Sequence, residues 1–314
     1  MSYNNPFMYS DDNKRYHTLT YHFKQMYKSK VYKAVIDAGF SCPHIDNNKG
    51  GCTFCSIYGS GDFALSSSTS LKTQYETQKK IMSKKWPNAQ AIAYFQAFSN
   101  TYASLDTLKI IYDPFFSDDY DNIAVALGTR ADCLSDQVID YFHTQSFKKP
   151  VYIEIGVQSI HPSTNKRINR GHDMDIVNEV LNKCNDKNFH VIVHIINGLP
   201  YESKEMMLQT AQWLAKQPIS GVKIHMLHLL KNTQMARQYK QQPFELLSME
   251  DFVDVTIQQL ELLPAHFVIH RLTGDGLIDD LIAPLWTIKK RVVLNTIDKE
   301  MVKRNTVQGR HYET

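Results

Sequence analysis

The chain has 314 residues, 43% hydrophobic and 21% charged, which supplies a substantial core and excludes a mainly disordered protein. Its 35 Lys and Arg residues exceed its 32 Asp and Glu residues by too little to indicate nucleic-acid binding by composition alone. No apolar run approaches the roughly 18 residues of a membrane-spanning helix and the N-terminus lacks a signal-peptide pattern, so we expect a cytoplasmic protein.

Short apolar segments alternate with longer amphipathic segments from about residue 31 to 230, which is typical of repeated βα units. The six candidate strands are 31–37, 91–98, 123–129, 151–158, 190–196 and 222–229. Helices are predicted at about 70–85, 104–112, 135–146, 173–187 and 203–217, several of them after the capping residues Ser135, Asp173 and Ser203. A complete barrel needs eight strands and roughly 250 residues, so these six predict an α/β fold with an open, partial (β/α)6 barrel.

Two segments flank the predicted barrel of residues 31–230. Residues 1–30 form an N-terminal lead rich in Tyr and Lys, and residues 231–314 form a C-terminal helical extension with helical patterns at about 249–263 and 289–304. We expect both segments to pack on the barrel as caps rather than to fold as independent domains.

Three of the five cysteines, Cys42, Cys52 and Cys55, lie close together directly after the first predicted strand. Nine residues separate the first two and two residues separate the last two, which favours a metal site in a reducing compartment over a disulfide framework. Three thiolates on one glycine-containing loop can hold three irons of a cubane cluster and leave the fourth iron open. A zinc site completed by the awkwardly placed His44, or three unrelated core thiols, are the alternatives.

The other two cysteines fit packing roles. Cys184 falls on an apolar helical stripe with Val177 and Leu181. Cys133 follows the third predicted strand, and we interpret it as a passive thiol.

Several further segments carry a family resemblance. They are residues 94–96 with 99–102, 128–130, 154–159, 169–172, 197–200, 271–276 and 308–309, in addition to the loop 49–55. With these segments in this order, the chain resembles the radical S-adenosylmethionine (SAM) superfamily, in the branch that includes the radical domain of the Elongator catalytic subunit. Within that branch it is most similar to the YhcC/YtqA-like family. The chain departs from the family pattern in two places: Ser99, Asn100 and Thr101 replace the glycine-rich SAM-amine motif, and Tyr201 stands where many relatives have Gly.

The resemblance implies a 4Fe-4S cluster on the three cysteines and SAM bound at the open iron, with reductive cleavage to a 5′-deoxyadenosyl radical. It implies tRNA as the partner, with removal of the carboxymethyl part of the wobble nucleoside carboxymethylaminomethyluridine to leave aminomethyluridine. It also implies a low-potential electron donor such as flavodoxin or ferredoxin. A radical SAM reaction on a small metabolite or protein, or a non-catalytic zinc or RNA-binding module, are the alternatives, and no catalytic acid or base is assigned.

Strand parity gives an independent view of the barrel lumen, because alternate residues face opposite sides of a sheet. In strand 151–158 the apolar set that begins at Val151 suits the helix layer, so Glu154 and Gln158 face inward. The residues placed at the lumen on other strands are Gln96, Arg130 and either the His190/His194 face or the Asn197 face. Active sites of such barrels gather at the C-terminal ends of the strands.

Several of these residues are candidate SAM contacts. A carboxylate inside a barrel needs a partner, so we expect Glu154 to bind the ribose or ammonium of SAM, unless it forms a buried pair with Arg130 or Arg170. Either arginine could receive the SAM carboxylate, or could be a solvated loop residue. His194 could donate to adenine or substrate, although a lone His in an apolar strand is more often a core residue. The predicted SAM contacts are Gln96, Asn100, Thr101, Arg130, Glu154, Gln158, Arg170 and His194.

Basic residues gather in two segments. Residues 286–314 contain seven Lys and Arg against three acids, and residues 14–33 contain six Lys and Arg interleaved with four Tyr. Cations next to aromatic rings suit phosphate contact and base stacking. Ordinary solvated helix faces are the alternative interpretation.

Overall fold

A curled sheet of seven parallel strands forms the centre of the fold. The computed structural model describes residues 5–56, 59, 64–274, 276 and 278–313. The strands are β1 (Val31–Ile36), β2 (Gln90–Phe95), β3 (Ala124–Thr129), β4 (Val151–Gln158), β5 (His190–Asn197), β6 (Gly221–Met226) and, after the short β7 (Leu229–Leu230), β8 (Val268–Arg271). β7 pairs in antiparallel fashion with β9 (Leu281–Ala283) outside the main sheet. The predicted partial parallel barrel is confirmed.

Helices pack on the outer face of this sheet. Ser135, Asp173 and Ser203 each accept a backbone N–H in the first turn of the following helix, which satisfies an otherwise unpaired amide as the sequence predicts. The helices are α1 (Leu19–Tyr27), α2 (Pro43–Asp46), α3 (Leu71–Lys85), α4 (Leu105–Phe116), α5 (Asp136–Ser146), α6 (Pro162–Arg167), α7 (Met174–Cys184), α8 (Lys204–Leu214), α9 (Gln234–Gln241), α10 (Met249–Leu262) and α11 (Lys290–Lys303). None of the helices in the described ranges is long and apolar enough to cross a membrane.

The two faces of the sheet differ in exposure. On β1, Tyr32 and Ala34 are buried in the helix-covered core, whereas the intervening Lys33 is only half-buried on the inner face. On β5, the same alternation places His194 on the inner face. Asn197 lies on the outer face, where its side-chain amide pairs with that of Gln259 of α10. The lumen is therefore lined by the His190/His194 face of β5, and it remains partly open to solvent.

The N-terminal lead closes one end of the barrel. Phe23 of α1 is buried in an apolar cluster with Ile92 and Tyr152, which lie near the N-terminal ends of their strands. Thr18 forms a parallel bridge with Ile269 at the free edge of β8. The opposite end, where the strands have their C-termini, is left for the functional site.

The number of strands predicted for the main parallel sheet is wrong by one. β8 lies in the C-terminal segment that the sequence indicates to be helical, and it extends the sheet by pairing with β6, with Val222 opposite Ile269. At four residues β8 is too short for its periodicity to stand out. The division of the chain at residues 30 and 230 stays a prediction.

Candidate radical SAM active site

The cysteine loop begins just after β1. Cys42 precedes the short helix α2, and the chain then passes through Gly50 and Gly51, which have φ angles of +80° and +70°. Glycine reaches this left-handed region at the least cost. The Gly51 N–H donates to the His44 carbonyl oxygen at 3.2 Å, which turns the chain back and brings the other two cysteines towards Cys42.

The segment after α6 holds this loop in place. The side-chain amide of Asn169 donates to the carbonyl oxygens of Lys49 at 2.7 Å and Gly51 at 2.8 Å. Gly171 packs against the ring of His44, so closely that a β-carbon would lie 2.4 Å from Nδ1. Residues 169–172, which the family resemblance singles out, therefore set the shape of the cysteine loop.

The three thiols form one electrostatic group. A hydrogen bond from the Cys55 thiol lowers the pKa of Cys52 against the effect of burial, and the guanidinium groups of Arg130 and Arg170 lower it further. The same hydrogen bond raises the pKa of Cys55, and burial raises that of Cys42. Within the described ranges, no three His, Cys, Asp or Glu side chains form a ready site for a single metal ion. Three mutually close thiols fit a cluster in which each thiolate binds a different iron.

Arg130 lies beside these thiols at the end of β3. Its Nε and Nη2 donate to the two oxygens of Asp132 at 2.8 Å each, and its Nη1 donates to the Arg170 carbonyl oxygen at 2.9 Å. Burial opposes the guanidinium charge, but Asp132 outweighs burial and raises the pKa of Arg130. A permanent cation is thus held next to Cys42 and Cys52, where it favours the thiolate form.

Arg170 supports the backbone of the site. Only 1% of its surface is exposed, and its guanidinium donates to the Val157 carbonyl oxygen at 2.7 Å and the His172 carbonyl oxygen at 2.8 Å. It is therefore neither a solvated loop residue nor a partner of Glu154. Contact between Arg170 and SAM stays a prediction.

The loop after β2 is strained and holds an unpartnered acceptor. Ala97 and Phe98 have φ angles of +94° and +53°, a costly conformation for residues with side chains. The Asn100 amide donates to the carbonyl oxygens of Ala97 and Gly128, while its Oδ1 is buried without a hydrogen-bond partner among the described residues. An ammonium group such as that of SAM would supply the missing donor. Thr101 is buried and its hydroxyl is hydrogen-bonded inside the protein.

Glu154 lies in the lumen with both of its oxygens in use. Oε1 accepts a hydrogen bond from Lys33 of β1. Oε2 accepts from Lys223 of β6 at 2.5 Å, from Tyr94 of β2 at 2.7 Å, and lies 3.1 Å from His194 Nε2 of β5. Four strands thus meet at one buried carboxylate, which faces inward as strand parity predicts.

Charge explains why this carboxylate can be buried. Burial by itself would raise the pKa of Glu154, but the Lys223 and Lys33 ammonium groups hold it well below its ordinary value. Burial lowers the pKa of His194 to about 4, so that the imidazole is neutral at neutral pH and its Nε2 donates to the carboxylate. A SAM contact for Glu154 or His194 stays a prediction.

The true partners of Glu154 differ from those expected from its sequence. The alternative expectation of a buried pair with Arg130 or Arg170 is wrong, because both arginines lie beyond the strand ends whereas Glu154 lies in the middle of β4. Lys33 and Lys223 each interrupt an apolar strand at an inward position, so applying strand parity to β1 and β6 would have found them.

Two glutamines lie near the strand ends. Gln158 ends β4 at a bulge with φ +66°, and its Nε2 lies 2.7 Å from the place of a β-carbon on Gly156. Gln96 follows β2, and its N–H donates to the Ile36 carbonyl oxygen at 3.1 Å. Both lie at the C-terminal ends of their strands, which is the end of the barrel that carries the cysteine loop. Their contacts with SAM stay predictions. Asp275, in the 271–276 segment of the family resemblance, lies outside the described residues.

Two thiols and the N-terminal basic segment have structural roles. Cys184 is buried on α7, and burial raises the pKa of Cys133 to about 12, which suppresses its thiolate. Tyr16 and Tyr32 are only 5% and 8% exposed, and Lys14 forms an ion pair with a residue of α11. Base stacking by these two tyrosines is therefore a wrong expectation, because the lead packs on the barrel.

A parallel partial barrel with a three-cysteine loop at the C-terminal end of its first strand, and charged groups in its lumen, is the architecture of a radical SAM enzyme. The chain belongs to the radical SAM superfamily, since residues 43–214 match the model described by that name. Residues 219–303 match the radical SAM C-terminal domain. Members of the superfamily use a 4Fe-4S cluster and SAM.

Two relatives place the chain in the YhcC/YtqA-like family. It is 42% identical over 315 residues to YtqA of Bacillus subtilis, covering 100% of this chain and 98% of that protein. It is 30% identical over 288 residues to YhcC of Escherichia coli K12, covering 90% and 91% of the two chains. The fold is similar to that of Elp3 from Methanocaldococcus infernus, with a TM-score of 0.64 and 15% sequence identity. The match covers 89% of this chain and 64% of the Elp3 chain.

Several residues described above have side chains that fit the two cofactors. When bound, the cluster and SAM would supply one-electron radical chemistry for removing a hydrogen atom from the substrate. Cys42, Cys52 and Cys55 would bind the irons, with the Arg130 cation beside them. Asn100 would accept a hydrogen bond from the SAM ammonium. The half-buried lumen would shield the reacting atoms from water.

Proposed function

We propose that this protein applies radical SAM chemistry to the C5 side chain of the tRNA wobble uridine, removing the carboxymethyl part of carboxymethylaminomethyluridine to leave aminomethyluridine. The observation that carries the proposal is similarity along the whole chain to the YhcC/YtqA-like family, for which the sequence resemblance implies this substrate. The Elp3-like fold supports a related use of the barrel.

The surface near the C-terminal extension supports contact with a nucleic acid. Lys289 and Arg291 are exposed at the start of α11, whose first turn has no acidic residue, and neither forms an ion pair with a described residue. The N-terminus of a helix attracts phosphate groups. Lys290, between them, interacts electrostatically with Arg271 at the C-terminal end of β8. This basic start of α11 therefore lies near the C-terminal end of β8.

Two of the other basic residues of the extension are already paired. Lys303 pairs with Glu300, and Arg304 pairs with Asp254 and Glu300. The phosphate contacts predicted for the whole segment are thus best supported at the start of α11.

The proposal is tested by mass spectrometry of tRNA nucleosides from cells with and without the protein. We expect carboxymethylaminomethyluridine to accumulate without it. Anoxically reconstituted enzyme with SAM and reductant should then convert that nucleoside to aminomethyluridine in tRNA from the deficient cells. Enzyme that cleaves SAM over many turnovers yet leaves this nucleoside unchanged would refute the substrate while preserving the radical SAM class.

A further inference from the structure

Among the described residues, the lumen cluster of Lys33, Lys223 and Glu154 contains more positive than negative groups. Lys33 and Lys223 approach the single carboxylate of Glu154 from strands at opposite sides of the sheet. Arg271, at the end of β8, lies close enough to Lys223 to interact with it electrostatically. Two ammonium groups and one carboxylate leave one positive charge without a matching negative charge in this cluster.

Burial and the neighbouring positive charges both act on the titration of Lys223. Burial lowers the pKa of Lys223 to about 7 against the opposing effect of Glu154, and the positive charges of Lys33 and Arg271 act in the same direction as burial. Burial also lowers the pKa values of His194 and His225, so that neither imidazole adds a charge at neutral pH. A bound anion would relieve the repulsion and stabilise the charged form of Lys223.

Lys33 is the lysine of the pair with more unused hydrogen-bond donors, since Lys223 contacts both Glu154 and Tyr94. An ammonium group has three N–H donors. Among the described residues, Glu154 is the one hydrogen-bond acceptor that Lys33 Nζ contacts. The Lys33 side chain is 16% exposed, against 9% for Lys223 and 0% for Glu154. Donor capacity thus remains on the more accessible of the two lysines.

We propose that Lys33 and Lys223 bind the carboxylate of the substrate inside the lumen. The inference rests on the proposed function, in which the side chain to be shortened ends in a carboxylate. Lys33 precedes the end of β1 by three residues, so at a strand rise of about 3.3 Å it lies roughly 10 Å below the level where the cysteine loop begins. A substrate side chain that enters from the cysteine-loop end of the barrel could bind Lys33 through its terminal carboxylate. Its carbons closer to the uridine ring would then lie nearer to the cysteine loop.

The test uses the reconstituted holoenzyme and two anticodon stem-loops that differ in one group. One carries carboxymethylaminomethyluridine, and the other carries its methyl ester, which is neutral at that position. Equilibrium binding of both is measured for the wild type, Lys33→Met and Lys33→Arg. Lys84→Met is the control, because Lys84 is exposed on α3. Lys33→Met leaves Glu154 paired with Lys223, a pair that has no net charge, so we expect this variant to fold.

We expect the wild type and Lys84→Met to bind the acid about tenfold to a hundredfold more tightly than the ester. A hydrogen bond to a charged group typically changes the binding affinity by about that factor. Lys33→Met should lose this preference, and Lys33→Arg should keep part of it. Equal binding of acid and ester by the wild type would overturn the carboxylate site, whether or not the enzyme converts the nucleoside.

If neither stem-loop binds, the proposed function itself is refuted. A second measurement then tests whether the carboxylate site exists. The thermal midpoint of the holoenzyme is then compared in acetate and in chloride at equal ionic strength. A higher midpoint in acetate for the wild type, absent in Lys33→Met, would support a carboxylate site for a substrate other than tRNA. Equal midpoints for the wild type in the two salts would overturn it.

Discussion

The ring of His44 occupies the space that a side chain on Gly171 would need. A β-carbon on Gly171 would lie 2.4 Å from His44 Nδ1, and the Gly171 φ angle of +90° also favours glycine. His44 belongs to α2, directly after Cys42 and Pro43. This contact joins the segment after α6 to the cysteine loop, so that the shape of one depends on the other.

Gly171→Ala should therefore displace the cysteine loop and reduce cluster incorporation. Gly50→Ala is the matched control, since Gly50 also has a positive φ but would place its β-carbon in open space. We expect Gly171→Ala to hold much less iron and sulfide per chain after anoxic reconstitution than Gly50→Ala. Equal iron contents in the two variants would show that the contact with His44 does not shape the cluster site.

Single Cys→Ala replacements should separate two kinds of cysteine. Cys42, Cys52 and Cys55 share one loop, so loss of any of them should abolish the intact cluster and SAM cleavage. Cys133 and Cys184 lie on other elements, and their replacement should leave iron content and SAM cleavage nearly unchanged. Cys52→Ala with a full cluster and full SAM cleavage would be incompatible with the ligand assignment.

Glu154→Gln should destabilise the protein strongly. The change leaves the buried ammonium groups of Lys33 and Lys223 without a counter-charge, which typically costs about 3 to 5 kcal/mol. Denaturant unfolding should show this loss, while Glu245→Gln, at an exposed loop position, should have little effect. Adding Lys33→Met to Glu154→Gln should restore part of the stability, because it removes the repulsion. No difference between the single and double variants would contradict the charge argument.

SAM binding gives a separate readout for the same Glu154 position. We expect Glu154→Gln to retain the cluster, because the cysteine loop follows another strand, and to bind SAM more weakly. Equilibrium SAM binding to the reconstituted variant measures this. Unchanged affinity would restrict Glu154 to its contacts with the lysines.

Stability should fall as the pH decreases, because of histidines at the N-terminal end of the barrel. A cavity of about 300 Å³ there is lined by His17 and His22, among others, and burial lowers both of their pKa values to about 4. The unfolded chain binds protons more readily, near the ordinary value of 6.5, so stability is complete above 6.5 and is lost as the pH falls towards 4. Each proton taken up on unfolding contributes at most about 1.4 kcal/mol per pH unit.

His22→Gln should make this decline less steep. Denaturant unfolding between pH 4 and 6.5 measures how steeply the free energy of unfolding changes with pH. His311→Gln, at an exposed position, is the control. An unchanged slope in His22→Gln would mean that His22 is not one of the groups that titrate on unfolding.

Alanine at both Lys289 and Arg291 should weaken tRNA binding and reduce its salt dependence. If both contact phosphates, the log–log slope of affinity against salt should become smaller by about 1.4 to 1.8, from roughly 0.7 to 0.9 per phosphate. SAM cleavage without tRNA should not change. Lys303→Ala is the control, because Lys303 already pairs with Glu300. The same salt slope in the double variant and the wild type would place the phosphate contacts elsewhere.

Local patterns in the sequence determined much of this protein. The six long strands and their helices follow from hydrophobic periodicity and capping residues, both of which depend on neighbours within a few positions. The inward orientation of Glu154 follows from the alternation of a strand that reads Val-Tyr-Ile-Glu-Ile-Gly-Val-Gln. The spacing of Cys42, Cys52 and Cys55 was likewise visible in the chain, because all three lie on one loop.

Only the tertiary structure decided which groups meet. Glu154 pairs with Lys33 and Lys223 because the curled sheet brings the inner faces of β1, β4 and β6 to one point. Arg170 became a buried support for backbone carbonyls, and β8 became a seventh strand, for the same kind of reason. These contacts join residues far apart in sequence, and they depend on sheet curvature and strand register, which no local periodicity records. The charge of each residue was readable from the sequence, but the partner that balances it depends on how the strands close around the lumen.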